Sequence, residues 1–257
     1  MSFNVNDIAV KSAYFNGSEV KSIYYNGTEV WTSDTWPGWV NATWEDIYNL
    51  CKEIQNGDRA AWPADVVLGA TKTTTLSTAV LGSTSVKMKI IGLDVDGTGV
   101  ITFQSSNALA NKVAFNSSSA FWSNSSIRNT YCANFYNYCD AKPYIKTLSK
   151  ITHYYASNQD TKGTYNETVW LPSRYEILAD TTKVETTTNA NGNYDSTQMK
   201  AVKYAGDSGT SAVEYWMRSY YSINGNSQQT FNSSTGVRGN QKTAEAAAYF
   251  APCFAIG

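Results

Sequence analysis

Between residues 40 and 60 the apolar positions recur with helical spacing. Ile47, Leu50, Cys51 and Ile54 fall on one face, with Glu45 and Asp46 at the start and Asn56-Gly57 at the end. Thr43 stands where a helix N-cap belongs, acidic groups in a first turn complement the helix dipole, and Asn-Gly stops a helix. A helix is therefore predicted from Trp44 onward. The stretch "SVKMKIIGLDVDGTGVITFQSS" alternates and then runs apolar, which predicts two strands joined by a turn at Asp96-Gly97. Helical spacing returns at Ile127, Tyr131, Phe135 and Tyr138, giving a second helix that ends around Pro143. A short helical turn through Ile145 and Leu148 is expected to follow.

Further along, "ETVWLPSRYEILAD" predicts a strand ending at Leu171 and a short helix from Tyr175 to Leu178. Residues 181–211 are rich in Thr, Asn and Gly and are expected to form long irregular loops. "EYWMRSYYSINGNSQQTFNSSTGVRGN" gives strand, Asn224-Gly225 turn, strand, and a second turn near Thr235-Gly236. The closing "AAAYFAPCFAIG" is expected to be a buried central strand with Pro252 at a bulge or end.

The amino-terminal pattern is different in kind. Residues 10–19, "VKSAYFNGSE", are repeated with small changes as "VKSIYYNGTE" in residues 20–29, before Val30-Trp31. Asn16-Gly17 and Asn26-Gly27 suit type I′ turns, because both central residues need positive φ. Two small hairpins or one meander follow. Two units are too few for a solenoid and an isolated hairpin is marginal in water. The repeat is therefore expected either to pack on a partner or another copy, or to form a small sheet at the edge of the main domain. The predicted organisation is a β-repeat module over 1–31, a linker over 32–43 and a main domain over 44–257.

Composition narrows the function classes. Charged residues make up 16% of the 257 and the net charge is −1, so no basic excess points to nucleic acid or an anionic membrane. In place of charge stand Asn, Ser and Thr, with 18 Tyr and 8 Trp, the chemistry of recognition surfaces and also of stiff all-β surface proteins. "MSFNVNDIAV" has neither a charged start nor a long apolar core, so no secretory signal is expected. No run approaches the roughly 18 apolar residues of a membrane helix, so no membrane insertion is expected.

Catalytic constellations are sparse. His153 is the one histidine, and no Gly-x-Ser-x-Gly elbow accompanies it. The four cysteines, Cys51, Cys132, Cys139 and Cys253, form no Cys-x-x-Cys pair, so zinc spacing is missing and buried thiols are expected. Asp94-x-Asp96-Gly97 starts like a calcium loop but lacks the later ligands, and reads as a turn. No metal, cofactor or catalytic residue is predicted.

Four segments taken in order carry a resemblance: Lys89–Asp96 ("KIIGLDVD"), Val169–Ile177 ("VWLPSRYEI"), Tyr215–Ser219 ("YWMRS") and Phe250–Ile256 ("FAPCFAI"). Over residues 44–257 the chain resembles a domain family of unassigned function from gut bacteria and their phages. That family looks like the C-type-lectin-like fold, an α+β domain shared with formylglycine-generating enzymes and with the hypervariable proteins of diversity-generating retroelements. One departure is Ala251-Pro252, where the family has Arg-Pro, so any role tied to that arginine is absent or moved. Formylglycine-generating chemistry uses a late cysteine pair, and only Cys253 lies in the last hundred residues. The opening repeat resembles paired units of phage virion structural proteins.

The resemblance implies a non-enzymatic virion-surface protein, a tail fibre or head decoration made in the host cytoplasm. Its repeat would contact virion structural proteins or support a homo-oligomer such as a trimer, and its head would bind a host cell-surface glycan or protein. The variable region of the relatives matches Arg218 to Gly239. The expected ligand-binding residues are Arg218, Tyr220, Tyr221, Asn224, Asn226, Gln228, Gln229, Asn232 and Arg238, about half of them pointing outward by strand alternation. Trp216 and Met217 are expected in the core. The alternatives are a structural decoration protein without a specific ligand and an enzyme related to the formylglycine-generating group.

Overall fold

The computed structural model describes residues 36–118, 121–156, 159–178, 194–220 and 227–257, together with short strands between residues 4 and 32. The chain separates into two compact units, Met1–Asn41 and Ala42–Gly257, and the division falls inside the predicted linker.

In the first unit, β1 (Asn4–Val5) pairs with β2 (Ile8–Ala9), β3 (Ala13–Phe15) with β4 (Ser18–Val20), and β5 (Ser22–Tyr25) with β6 (Thr28–Thr32), all antiparallel. The β3–β4 and β5–β6 pairs flank the two Asn-Gly dipeptides, as the repeat predicts. The dipeptides themselves lie outside the described residues.

The second unit is mixed α+β. Its first element, α1 (Trp44–Asn56), opens on a capping box. Asp46 N–H donates to Thr43 Oγ1 at 3.1 Å, and Thr43 N–H donates back to Asp46 Oδ2 at 2.7 Å. Gly57 ends the helix at φ 77° in the left-handed region. The buried face of α1 lies on a six-stranded antiparallel sheet built from β7 (Thr71–Val80), β8 (Ser83–Leu93), β9 (Ile101–Ser105), β11 (Ile145–Lys146), β14 (Val169–Trp170) and β19 (Cys253–Ile256). β19 is central, with β9 along one side and both β11 and β14 along the other. Trp44 meets Phe103 and Phe254 edge-on at 5.5 and 5.6 Å, a geometry that aromatic quadrupoles favour. Gly99 sits where a Cβ would come within 2.5 Å of the Cys51 carbonyl, so only glycine lets the β8–β9 turn approach α1.

The predicted strands around Asp96-Gly97 are β8 and β9. The sequence pattern does not predict β7: "TKTTTLSTAV" carries little apolar surface and is held by pairing along β8. The β7–β8 turn places Leu81 and Gly82 at positive φ, 47° and 79°. The second helix is present, but its first stretch, Ile127–Cys132, is π-helical and passes into α2 (Ala133–Tyr138).

Three expectations are corrected. The helical turn lies earlier, at Lys142–Tyr144 with Pro143 in its first turn, and Ile145 and Leu148 begin strands β11 and β12 (Leu148–Ala156) instead. Pro143 presets the turn, and the β-branched residues after it find ladder partners in β19 and in β13 (Gln159–Glu167). The loop-rich stretch contains a helical turn, α4 (Ser196–Lys200), capped by Asp195; its residues 181–193 lie outside the description. The terminal segment is two strands rather than one, because β18 (Ala247–Ala248) pairs separately with β10 (Val113–Ala114) before β19 begins. The short helix after Leu171 is present as α3 (Arg174–Leu178).

Lys203 is fully buried, and its Nζ donates to the carbonyls of Ser105 and Ser106 at 2.5 and 3.4 Å. Burial, with repulsion from Lys89 adding to it, pushes its ammonium from 10.5 down to about 7. Between those two values the unfolded chain binds more protons than the folded one, so this residue makes stability rise with pH across that window. Below it the full cost of the buried charge is present. Urea unfolding at several pH values should show the stability of Lys203→Met, relative to wild type, falling as pH rises from about 7 to about 10. A pH-independent difference would remove the buried ammonium from the account.

Candidate binding surface

The predicted binding segment forms a three-stranded antiparallel sheet of β15 (Glu214–Tyr220), β16 (Ser227–Asn232) and β17 (Val237–Thr243). As expected, Trp216 and Met217 are core residues: Trp216 Nε1 donates to the Val113 carbonyl at 2.8 Å, and its ring meets Phe115 edge-on at 5.6 Å.

The displayed surface assigned to Arg218, Gln228 and Gln229 is corrected, because all three are sealed from solvent. β16 is the middle strand and is buried from Ser227 to Phe231, so alternation turns no side chain of that run to water. Gln228 Nε2 is spent on the Met217 carbonyl at 2.8 Å. Asn232 is half-buried and folds the β16–β17 turn, accepting from Ser234 N–H and Oγ at 3.0 and 2.8 Å. Arg238 is exposed on β17. Tyr220 pairs with Gln228 along the backbone. Its side chain, and the whole of Tyr221, Asn224 and Asn226, lie outside the described residues.

Arg218 belongs to a buried chain of charges instead. Its guanidinium donates to the carbonyls of Ile151 and Leu171 and pairs with Glu176 Oε2 at 2.5 Å. Glu176 is also the third residue of a capping box on α3, accepting from Ser173 N–H at 2.7 Å while its own N–H donates to Ser173 Oγ. Its other oxygen faces Lys150 Nζ at 3.5 Å, and Lys150 pairs with Asp96 Oδ1 at 2.8 Å. Thr102 and Tyr194 hydroxyls complete the contacts of Asp96. Asp94 is likewise occupied, by Trp62 Nε1 and Gly99 N–H. The Asp94–Asp96 turn therefore binds its own protein. Among the described residues no group of three or more His, Cys, Asp and Glu side chains is placed to hold a metal ion.

The four cysteines are free thiols and buried. Burial pushes Cys51 and Cys139 up to about 12, and Cys132 and Cys253 also upward. At neutral pH these thiols stay protonated and are poor nucleophiles.

Beside the three-stranded sheet lies an open cleft of about 360 Å³. Lys112, just before β10, forms one wall; Ser211 and Glu214, leading into β15, form another; Lys242 of β17 and Tyr249 complete it. Lys112 Nζ stands 5.4 Å from the centroid of the Tyr249 ring, within cation–π range. Lys242 Nζ lies 3.5 Å from Glu214 Oε2. Tyr249 is fixed by its backbone, which donates to the Glu214 carbonyl and accepts from Trp216 N–H. The arrangement offers an aromatic face, a hydroxyl, one carboxylate and two ammonium groups. Sequence reasoning missed this site, since its residues come from separate stretches, Lys112 far from the others. "AAAYFAP" gives no sign that one tyrosine faces a cleft.

Comparison with protein-family models, with curated proteins and with solved structures returned no match.

Because Arg218 neutralises a buried carboxylate, Arg218→Ala leaves Glu176 half-paired in a dry interior. Urea unfolding should show a loss of about 3–5 kcal/mol. A loss below about 1 kcal/mol would mean that water reaches the pair.

Proposed function

We propose that this chain is a non-enzymatic binding protein whose C-terminal unit is a C-type-lectin-like head for a host-surface glycan or protein. In this reading the amino-terminal repeat attaches the head to a phage virion. The observation that carries it is the cleft of Lys112, Ser211, Glu214, Lys242 and Tyr249. It lies beside the sheet that holds Arg218 and Gly239, the ends of the stretch that the resemblance matches to a variable region. An aromatic face with converging polar groups suits a sugar ring or an epitope side chain. The two lysines against one carboxylate leave an excess of positive charge, which favours a ligand bearing an acidic group. Weak single-site contacts gain strength when many copies stand on one particle.

The fold assignment has separate support. Asp96, Glu176 and Arg218, each from a different one of the four segments that carry the resemblance, meet in a single buried network. The fourth segment supplies β19, the centre of the main sheet. Segments that a family shares are expected where a fold is most constrained.

Binding of the purified full chain to gut-type bacterial cells and to a glycan array is the direct test. Tyr249→Ala should weaken saturable binding about tenfold, the effect of losing one aromatic anchor worth more than about 1 kcal/mol. Lys112→Ala should weaken it less and make it less salt-sensitive. Unchanged binding in both variants would move the site elsewhere. A chain that binds no cell or glycan but still joins virions would be a structural decoration protein.

A further inference from the structure

Buried lysines are uncommon, and Lys150 and Lys203 are both fully buried. Their surroundings differ. Lys203 faces the carbonyls of Ser105 and Ser106. Lys150 faces two carboxylates: its Nζ is 2.8 Å from Asp96 Oδ1 and 3.5 Å from Glu176 Oε1. The side chains of Lys150 and Glu176 are 0% exposed and that of Asp96 is 7% exposed, so the group is shut off from bulk water. The Trp170 ring covers Nζ at 4.5 Å.

Beyond its ion pair, Asp96 is held by two hydroxyl groups. Asp96 Oδ2 accepts from Thr102 Oγ1 at 2.5 Å and lies 2.8 Å from Tyr194 OH. Two hydroxyl donors on one carboxyl oxygen would hold the negative charge of a tetrahedral intermediate. Tyr194 OH also contacts Lys150 Nζ and lies 3.0 Å from Oδ1. Glu176 Oε1 has no hydrogen-bond partner among the described residues, while its Oε2 is held by Arg218 and Ser173. A fixed carboxylate oxygen that carries no hydrogen bond and stands 3.5 Å from the amine is placed to act as a base.

We propose that Lys150 and Asp96 condense into an intramolecular isopeptide bond, with Glu176 as the proton shuttle. A proton passes from the Lys150 ammonium to Asp96 Oδ1, giving a neutral amine and a carboxylic acid. The amine nitrogen attacks Asp96 Cγ, and Oδ2 takes the negative charge against Thr102 and Tyr194. Glu176 Oε1 removes a second proton from the nitrogen and returns it to Oδ1, which leaves as water while the carbonyl reforms. The ammonium's three hydrogens end as two on water and one on the amide, and no oxidant or co-reactant enters. Two opposite charges disappear from a dry interior, which removes their desolvation cost. Glu176 and Arg218 remain as a balanced pair. The bond would tie the β8–β9 turn to β12 across a sequence separation of 54 residues.

Intact mass of the denatured full chain tests this without any variant. The expected result is a mass lower than that of the sequence by one water, with no tryptic cleavage after Lys150 and a branched peptide joining it to Asp96. Because Asp96-Gly97 can also lose water by forming a succinimide, Lys150→Arg separates the two: it restores the full mass only if the lysine is the partner. Glu176→Gln should raise the fraction of unlinked chain. A wild-type chain at full sequence mass overturns the proposal, and so does a water deficit that survives Lys150→Arg.

Discussion

The C-terminal unit is organised around a line of four alternating charges, Asp96, Lys150, Glu176 and Arg218, that has almost no access to water. Taking such groups out of water costs several kcal/mol each, so the line is tolerable only where every charge meets its opposite. That condition dictates much of the rest. The β8–β9 turn must deliver Asp96, β12 must deliver Lys150, the first turn of α3 must deliver Glu176, and β15 must deliver Arg218. Four elements far apart in the chain are thereby placed to within the tolerance of an ion pair. Hydrophobic packing alone accepts many arrangements of similar volume. A line of charges accepts far fewer.

Much of this frame was legible as local pattern. The α1 helix could be read from Thr43, from the spacing of Ile47, Leu50, Cys51 and Ile54, and from Gly57, because capping and periodicity act within a few residues. β8 and β9 were readable because the stretch alternates and then runs apolar on either side of Asp96-Gly97. β7 was not, since a polar edge strand is specified by its neighbour more than by its own composition. The β12–β13 hairpin was hidden for a related reason: "LSKITHYYA" and "QDTKGTYNE" carry mixed polarity, and their partner pairing runs between them along nine positions. What holds those residues in strands is cross-strand pairing with a neighbour, and a single sequence shows it weakly.

In the three-stranded sheet, composition points the other way from position. Arg218, Gln228 and Gln229 look like surface chemistry, and in most chains that inference is sound because charged and amide side chains seldom lose all contact with water. Here β16 lies in the middle of its sheet and is buried on both faces through Phe231. On the neighbouring β15, Arg218 tolerates full burial because its planar fork can satisfy two carbonyls and a carboxylate at once. The amide of Gln228 does the same on a smaller scale, capping the Met217 carbonyl beside the bulge in β15. The same residue types serve recognition and internal wiring, and only position separates the two uses.

That distinction extends to the cleft beside the sheet. Tyr249 and Glu214 have their main chains bonded to each other, and Trp216, two residues on, is locked into the core by its ring and its indole N–H. Their side chains therefore start from a fixed backbone and would lose little freedom on binding the proposed ligand, a saving that pre-organisation brings to affinity. Two residues beyond Trp216, Arg218 enters the line of buried charges. One seven-residue strand thus carries a cleft carboxylate at its beginning and an internal guanidinium near its end. A charge-paired interior and a wall of the cleft are then two ends of one element, and loosening the first is expected to blur the geometry of the second.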